Sequence, residues 1–382
     1  MLNGGVTKRS RVALGVLALL FVGVLACWPW VKARLQAVAV LKTLSHEPIP
    51  LPVRAVTDSN VLTQDVAIPT ASGTLRGRLY SPAGMSHAPG MVIVHGVHHL
   101  GMNEPRLELF ASAMASCGLQ VLTPELPAIA DYRIGPESVS AIGESTRWFA
   151  QQTGGKVSVL GLSFSGGLAL LAAEQPAYAA QMKMVFAVGS QANMQRVARY
   201  YRTGQDIRPD GSVQILAAHE YGPLVMEYEH LEDFASATDR VALGSVLKEH
   251  LYEDGAGEQK ALQRLTPAQR VAIAQLMKTA DARTVTLLAA NETKHAREME
   301  AVSPDGNLQA VGVPVFLLHG EADNVIPSAE TLRLAQGLRP QMLGGALVSP
   351  LISHVEMGKS PGAADAWRLV NFIARMMRRA EQ

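Results

Sequence analysis

The segment Lys156-Val-Ser-Val-Leu-Gly-Leu-Ser-Phe-Ser-Gly-Gly167 constrains this chain more than any other. A short apolar run, Val157 to Leu160, passes through a small-residue turn into a helical pattern over Phe164 to Glu174. A strand that turns this sharply into a helix lifts a serine hydroxyl above the sheet. The turn strains the serine backbone and tolerates only small residues two positions away, here Gly161 and Ser165 around Ser163. The alternative register centres the turn on Ser165, flanked by Ser163 and Gly167, and lengthens the strand at the expense of the helix. A third reading makes the segment a glycine-rich turn that only packs a helix onto a sheet.

The surrounding pattern supplies that sheet. Val61 to Ile68 and Thr74 to Tyr80 read as a hairpin around Ala71-Ser72-Gly73. Strand-like runs at Met91–Val94, Leu119–Leu122, Val157–Leu160 and Met184–Val188 then alternate with helical spacing at Arg106–Cys117, Pro136–Gln152 and Phe164–Glu174. Such alternation predicts an α/β fold, a mostly parallel sheet covered by helices on both faces. It stops for the 122 residues 191–312, which show helical pieces and no strand signal. The clearest piece opens with Thr266-Pro-Ala-Gln269, a capping-box signature. A strand at Val313–Leu318, a helix at Ala329–Leu338, a strand near Ala346–Val348 and an amphipathic helix at Ala364–Arg379 complete the pattern. The expected organisation is a core in two parts, 61–190 and 313–382, split by a helical insertion at 191–312.

The N-terminus reads differently. Val12 to Val31 is a 20-residue stretch without a charge, between Lys8, Arg9 and Arg11 on one side and Lys32 and Arg34 on the other. That length matches a hydrocarbon core of about 30 Å, so residues 1–34 are expected to be a membrane anchor. The competing reading is a signal segment cleaved before Cys27, with Val24 and Ala26 at the small-residue positions and Cys27 able to carry lipid. The three cations of the short tail favour an N-terminus kept inside, which puts the remainder on the non-cytoplasmic side. The prolines of Glu47-Pro-Ile-Pro-Leu-Pro52 make 35–60 an expected extended linker, with the folded body starting near residue 60. A net charge of +1 over 382 residues, with no dense Lys/Arg run, excludes nucleic acid as the main partner. Two cysteines, Cys27 and Cys117, make neither a disulfide framework nor a thiolate zinc site, and Cys117 reads as core.

A serine becomes nucleophilic only beside a base, and the base needs an orienting acid. The strand ending in Leu-Leu-His-Gly320 runs into Glu-Ala-Asp323-Asn-Val-Ile326-Pro327, which places Asp323 after a strand C-terminus, where open α/β sheets build their sites. Leu351-Ile-Ser-His354 puts a histidine just after the last expected strand. The order is Ser163, Asp323, His354.

These segments, together with His95-Gly96 after the third strand, resemble the α/β-hydrolase fold superfamily, in the manner of its esterase, lipase and dienelactone-hydrolase-like members. The resemblance spans about residues 60–190 and 313–382. It implies that Ser163 attacks an acyl carbonyl, that His354 takes and returns the proton, and that Asp323 holds His354 in its tautomer. It implies an oxyanion hole from the backbone N–H groups of Phe164 and Val97, and a lid made by 191–312. The expectation is a membrane-tethered serine hydrolase that acts on a small-molecule or lipid acyl ester without cofactor or metal. Carbon–carbon bond hydrolysis or acyl transfer on the same triad, and a catalytically silent binding or scaffold protein, are the alternatives. His95-Gly-Val-His98-His99 lacks the second histidine and the aspartate of a dinuclear metal pattern, so His98 and His99 are read as lining the pocket mouth.

Overall fold

The computed structural model describes residues 27–57, 60–85, 87–353 and 362–382. An eight-stranded sheet runs in the order β1 (Val61–Thr70), β2 (Gly73–Pro82), β4 (Gln120–Pro124), β3 (Gly90–Val94), β5 (Val157–Leu162), β6 (Met182–Val188), β9 (Val315–Gly320), β10 (Leu343–Ser349). The hairpin β1–β2 pairs antiparallel, with Thr70 opposite Gly73, and β2 pairs antiparallel with β4. All pairs from β4 to β10 are parallel.

The parallel strands are apolar throughout because both faces are covered. Val92 and Val94 point into one buried cluster while Met91 and Ile93 point into the other. Val185 and Ala187 against Met184 and Phe186 repeat this on β6, and Val315 and Leu317 against Phe316 and Leu318 on β9. The covering helices include α2 (Pro105–Ser116), α3 (Pro136–Thr153), α4 (Phe164–Glu174), α9 (Ala329–Gly337) and α10 (Ala363–Glu381).

The linker expectation needs correction. Residues 27–44 form a helix, α1, and a further helical turn spans Leu51–Arg54. Ala33, Ala37 and Val40 of α1 are buried in the same cluster as Met114, Phe372 and Met376. Gln36, fully buried, donates to the carbonyl of Cys117 at 2.7 Å and to Glu381 at 2.8 Å, and Lys32 pairs with Glu381 at 2.8 Å. The folded body therefore includes residues well before 60, because α1 has an apolar face that α2 and α10 bury. Most of the expected anchor, residues 1–26, lies outside the described residues. Among the described residues no helix is long and apolar enough to cross a membrane.

The insertion is mostly helical, and its main pieces are α5 (Met194–Thr203), α6 (Tyr221–Glu229), α7 (Arg240–Leu251) and α8 (Ala282–Lys294). The Thr266 capping box is formed in full, with Gln269 closing it. One expectation fails here: a short antiparallel ribbon, β7 (Gln205–Ile207) with β8 (Val213–Ile215), interrupts the helices. Three-residue strands are too short to leave a period-two signature.

A single charged knot closes both ends of the insertion onto the core. Glu330 of α9, 2% exposed, accepts from the backbone N–H groups of Ala192 and Asn193 at 2.9 and 2.7 Å and from the Arg196 guanidinium at 2.9 Å. Arg196 also bonds Asp305 at 2.8 Å, and Ser303 accepts from the Met194 N–H at 2.8 Å.

Candidate functional site

Ser163 stands between β5 and α4 with φ 55° and ψ −135°. A positive φ is costly for any residue bearing a Cβ and persists only where the surroundings enforce it. They do so here through close approach. A Cβ added at Gly161 would sit 2.5 Å from the Gly166 Cα and 2.6 Å from its nitrogen, so only glycine allows strand and helix this close. The Ser163 N–H donates to the Val188 carbonyl at 2.7 Å, and the Gly166 N–H donates to the Ser163 carbonyl at 3.0 Å.

The strained backbone falls on Ser163 and not on Ser165. Ser165 lies in the first turn of α4, fully buried, and its hydroxyl donates to the His95 carbonyl at 2.5 Å. Phe164 is the first residue of α4, so its N–H has no intrahelical partner and points outward at the positive end of the helix dipole.

Asp323 follows β9 and is fully buried. One carboxylate oxygen accepts from the N–H groups of Val325 and Ile326, both at 2.9 Å, and the other lies 3.3 Å from Nε2 of His319. His319, at the end of the Leu-Leu-His-Gly320 strand, carries no local sequence signal of a role. It is buried, with Nδ1 2.7 Å from the Thr331 hydroxyl and Nε2 2.9 Å from the Ile326 carbonyl, and so braces the turn that holds Asp323. Ser163 and Asp323 both follow C-terminal ends of parallel strands, with only β6 between β5 and β9.

His354 lies outside the described residues. The chain leading to it is described: the carbonyls of Ile352 and Ser353 crowd Gly320, where any Cβ would collide with them. That contact brings the segment to the strand end that carries Asp323.

The loop after β3 contains the other expected residues. Both nitrogens of His95 are engaged by backbone: Nε2 accepts from the Leu126 N–H at 3.0 Å and Nδ1 donates to the Gly96 carbonyl at 2.8 Å. Burial pushes the His95 pKa down, which keeps the ring neutral in this arrangement. Val97 is buried, and its carbonyl accepts from the Tyr221 hydroxyl at 2.6 Å. His98 and His99 stack on each other at 4.7 Å, and His99 stacks on Tyr252 at 4.4 Å. Burial, then the neighbouring His99, lowers the His98 pKa.

Tyr221 and Tyr252 belong to the insertion, which thus rests directly on the loop after β3. It also reaches the acid: the His219 N–H donates to the Asn324 carbonyl at 2.8 Å. Tyr132, at φ 59°, donates to the Leu251 carbonyl at 2.6 Å from the core side. Ser163 is only 5% exposed beneath this cover. Tyr221 and Tyr132 were not singled out from the sequence, where neither carries a local signal.

The insertion also buries an unused acid. Glu227 of α6 is fully buried, neither of its oxygens has a hydrogen-bond partner among the described residues, and burial pushes its carboxyl up to about 8. An unfolded glutamate releases its proton near pH 4.3, so between there and about 8 the folded state holds a proton that the unfolded state has lost. Stability therefore falls as pH rises through that window. Glu227→Gln is expected to stabilise by up to about 3 kcal/mol at neutral pH and to leave stability little changed near pH 4.5. Melting temperatures measured across this range check it, and an equal difference at both ends would contradict it.

A family model described as X-Pro dipeptidyl-peptidase (S15 family) matches residues 131–356, which take in Ser163, the whole insertion and Asp323. No curated protein matches the chain significantly. Among solved structures, the Pyrococcus horikoshii acylaminoacyl peptidase is similar at 13% identity and a TM-score of 0.46, over 82% of this chain and 40% of that one. The Pyrobaculum calidifontis esterase is similar at 15% identity and 0.43, over 91% and 90%. A membrane phospholipase A, described as a bacterial virulence factor, is similar at 16% identity and 0.44, over 97% and 99%. The chain thus spans well under half the length of the acylaminoacyl peptidase. With more than half of its residues matched by the family model, and with the sheet order and serine turn described above, the chain belongs to the S15 X-Pro dipeptidyl-peptidase family and has the α/β-hydrolase fold.

Proposed function

We propose that this chain is a membrane-tethered serine hydrolase that cleaves a carboxylic ester or related acyl bond through Ser163, His354 and Asp323. The observation that carries the reading is the positive φ of Ser163 at the mouth of a parallel sheet. Such strain is maintained where a side chain has to be presented to a ligand.

In this reading His354 removes the Ser163 proton as Oγ adds to the acyl carbonyl. Asp323, already fixed by two backbone N–H groups, holds the other imidazole nitrogen and stabilises the imidazolium. The N–H groups of Phe164 and Val97 meet the oxyanion, and the Tyr221 hydroxyl steadies the Val97 peptide. The same imidazole then protonates the leaving group, and water, activated by it, releases the acyl group and restores Ser163. Because Ser163 is nearly inaccessible, substrate enters as the segments around Tyr221 and Tyr252 part from the loop after β3.

Peptide-bond cleavage is the second reading, favoured by the family match. Tethering is supported by the uncharged stretch 12–31 and by the surface where it meets the fold. Trp28, Trp30 and Trp367 are exposed there, with the Arg34 guanidinium over the rings of Trp30 and Trp367. Exposed tryptophans beside arginines suit a membrane–water interface.

The test is labelling with a fluorophosphonate probe, followed by hydrolysis of an ester panel of graded acyl length beside a prolyl-peptide substrate. Labelling and ester turnover are expected, with rates falling as pH drops below about 6.5, where the base takes up a proton. An unlabelled protein would overturn the serine mechanism, and a rate flat from about pH 5 to 8 would remove His354 as base. Turnover of the prolyl peptide alone would favour the second reading. Removal of residues 1–26 is expected to move the protein from the membrane to the soluble fraction.

A further inference from the structure

The insertion contains a second cluster of chemistry-bearing side chains, at the opposite end of α6 from Tyr221. His230 follows α6 directly. His295 joins α8 to the helix Ala296–Ala301, and Glu298 lies on that helix three residues later, on the same face. The two imidazole rings stack at 3.7 Å with an interplanar angle of 17°.

His295 is oriented as a ligand is oriented. It is 7% exposed, and its Nε2 is 2.8 Å from Asp233 Oδ2, which also accepts from Asn291 at 3.0 Å, while Lys294 pairs with the other Asp233 oxygen. A carboxylate that accepts a hydrogen bond from Nε2–H keeps the proton on Nε2 and the lone pair on Nδ1. That Nδ1 is buried and faces a Glu298 oxygen 3.1 Å away. The second Glu298 oxygen lies 3.8 Å from Nε2 of His230. One ligand atom from each of the three residues falls within 4.8 Å of the others. Tetrahedral zinc with bonds of about 2.1 Å separates its ligands by about 3.4 Å, so the three ligand atoms, within 4.8 Å of one another, draw together on an ion.

We propose that His230, His295 and Glu298 bind a divalent transition metal ion, zinc by ligand chemistry, that ties the end of α6 to the Ala296–Ala301 helix. Two imidazoles and one carboxylate are a zinc donor set, and they leave a fourth position for water. Glu298 is largely exposed, which gives the ion a way in from solvent. The ion would lock α6, whose first residue contacts the loop after β3, so the site acts on the cover and not on the reacting atoms.

The probes are ZnCl2 and CoCl2 added to the chelator-treated full chain. Calorimetry is expected to give one zinc per chain with Kd of about 1 µM or tighter, and cobalt to give the visible bands of a four-coordinate site. His295→Ala and Glu298→Gln are each expected to weaken binding by about 10- to 100-fold. His219→Ala, on a histidine outside the cluster, is expected to leave binding unchanged. Circular dichroism without metal establishes that each variant folds. Absence of saturable binding to the native chain, or undiminished binding in both His295→Ala and Glu298→Gln, would overturn the site.

Discussion

Ser163→Ala is expected to lower kcat by at least about 10³-fold while KM for a good ester changes little, because the substituted group forms a bond only along the reaction path. Probe labelling should disappear with it. Stability should stay near that of the native chain, since Ser163 and alanine face the same penalty at φ 55°. Ser165→Ala is the informative companion. It removes a buried donor from the His95 carbonyl, which is expected to cost about 1 kcal/mol, and it should keep the label. Full ester turnover by Ser163→Ala, or loss of the label only in Ser165→Ala, would reassign the nucleophile.

Glu330→Ala is expected to produce the largest stability loss, about 3–5 kcal/mol. The glutamate is buried and satisfies two backbone N–H groups and the Arg196 guanidinium. Truncation strands both N–H groups and leaves Arg196, 30% exposed at its side chain, with Asp305 alone. At roughly 2–4 °C per kcal/mol for a chain of this class, the melting temperature should fall by about 10 °C. Glu330→Gln keeps one acceptor and should lose less. Limited proteolysis should cut Glu330→Ala faster near residues 191–196 and 303–312, where the insertion joins the core. A loss below about 1 kcal/mol would show that the knot contributes little to holding the insertion closed.

The same two sites show what can be read before folding. The turn at Ser163 was legible because its requirements are local: an apolar strand, small residues two positions either side, and a helical pattern that follows at once. The position of Asp323 just after a strand was legible, and the structure has it directly after β9. Composition leaves both Ser163 and Ser165 open, since both have small flanks; the strained backbone angle falls on Ser163. His319 was visible but mute, because its partners Thr331 and Ile326 become neighbours only when the loop after β9 closes.

The misread linker has the same origin. Prolines at 48, 50 and 52 suggest an extended spacer, whereas Pro50 and Pro52 open a very short helical turn. The helix before them, α1, owes its place to contacts with residues 81 to 349 positions away. Its small residues Ala33 and Ala37 gave no strong periodic signal.

By itself the sequence determined the order of the central-sheet strands and of the helices between them, the burial of the sheet on both faces, the site of the sharp turn and the interruption by a long insertion. Each of these follows from residue type and spacing within about a dozen positions, the range over which hydrophobic period and turn chemistry act. Only the tertiary structure decided that α1 is part of the body, that Tyr221 holds Val97 across 124 positions, and that Glu330 fastens Ala192, 138 positions earlier, at the start of the insertion. In sequence these are an ordinary tyrosine and an ordinary glutamate. Their roles arise from the backbone groups they are buried against, and burial of a polar side chain is settled only when the whole chain has packed.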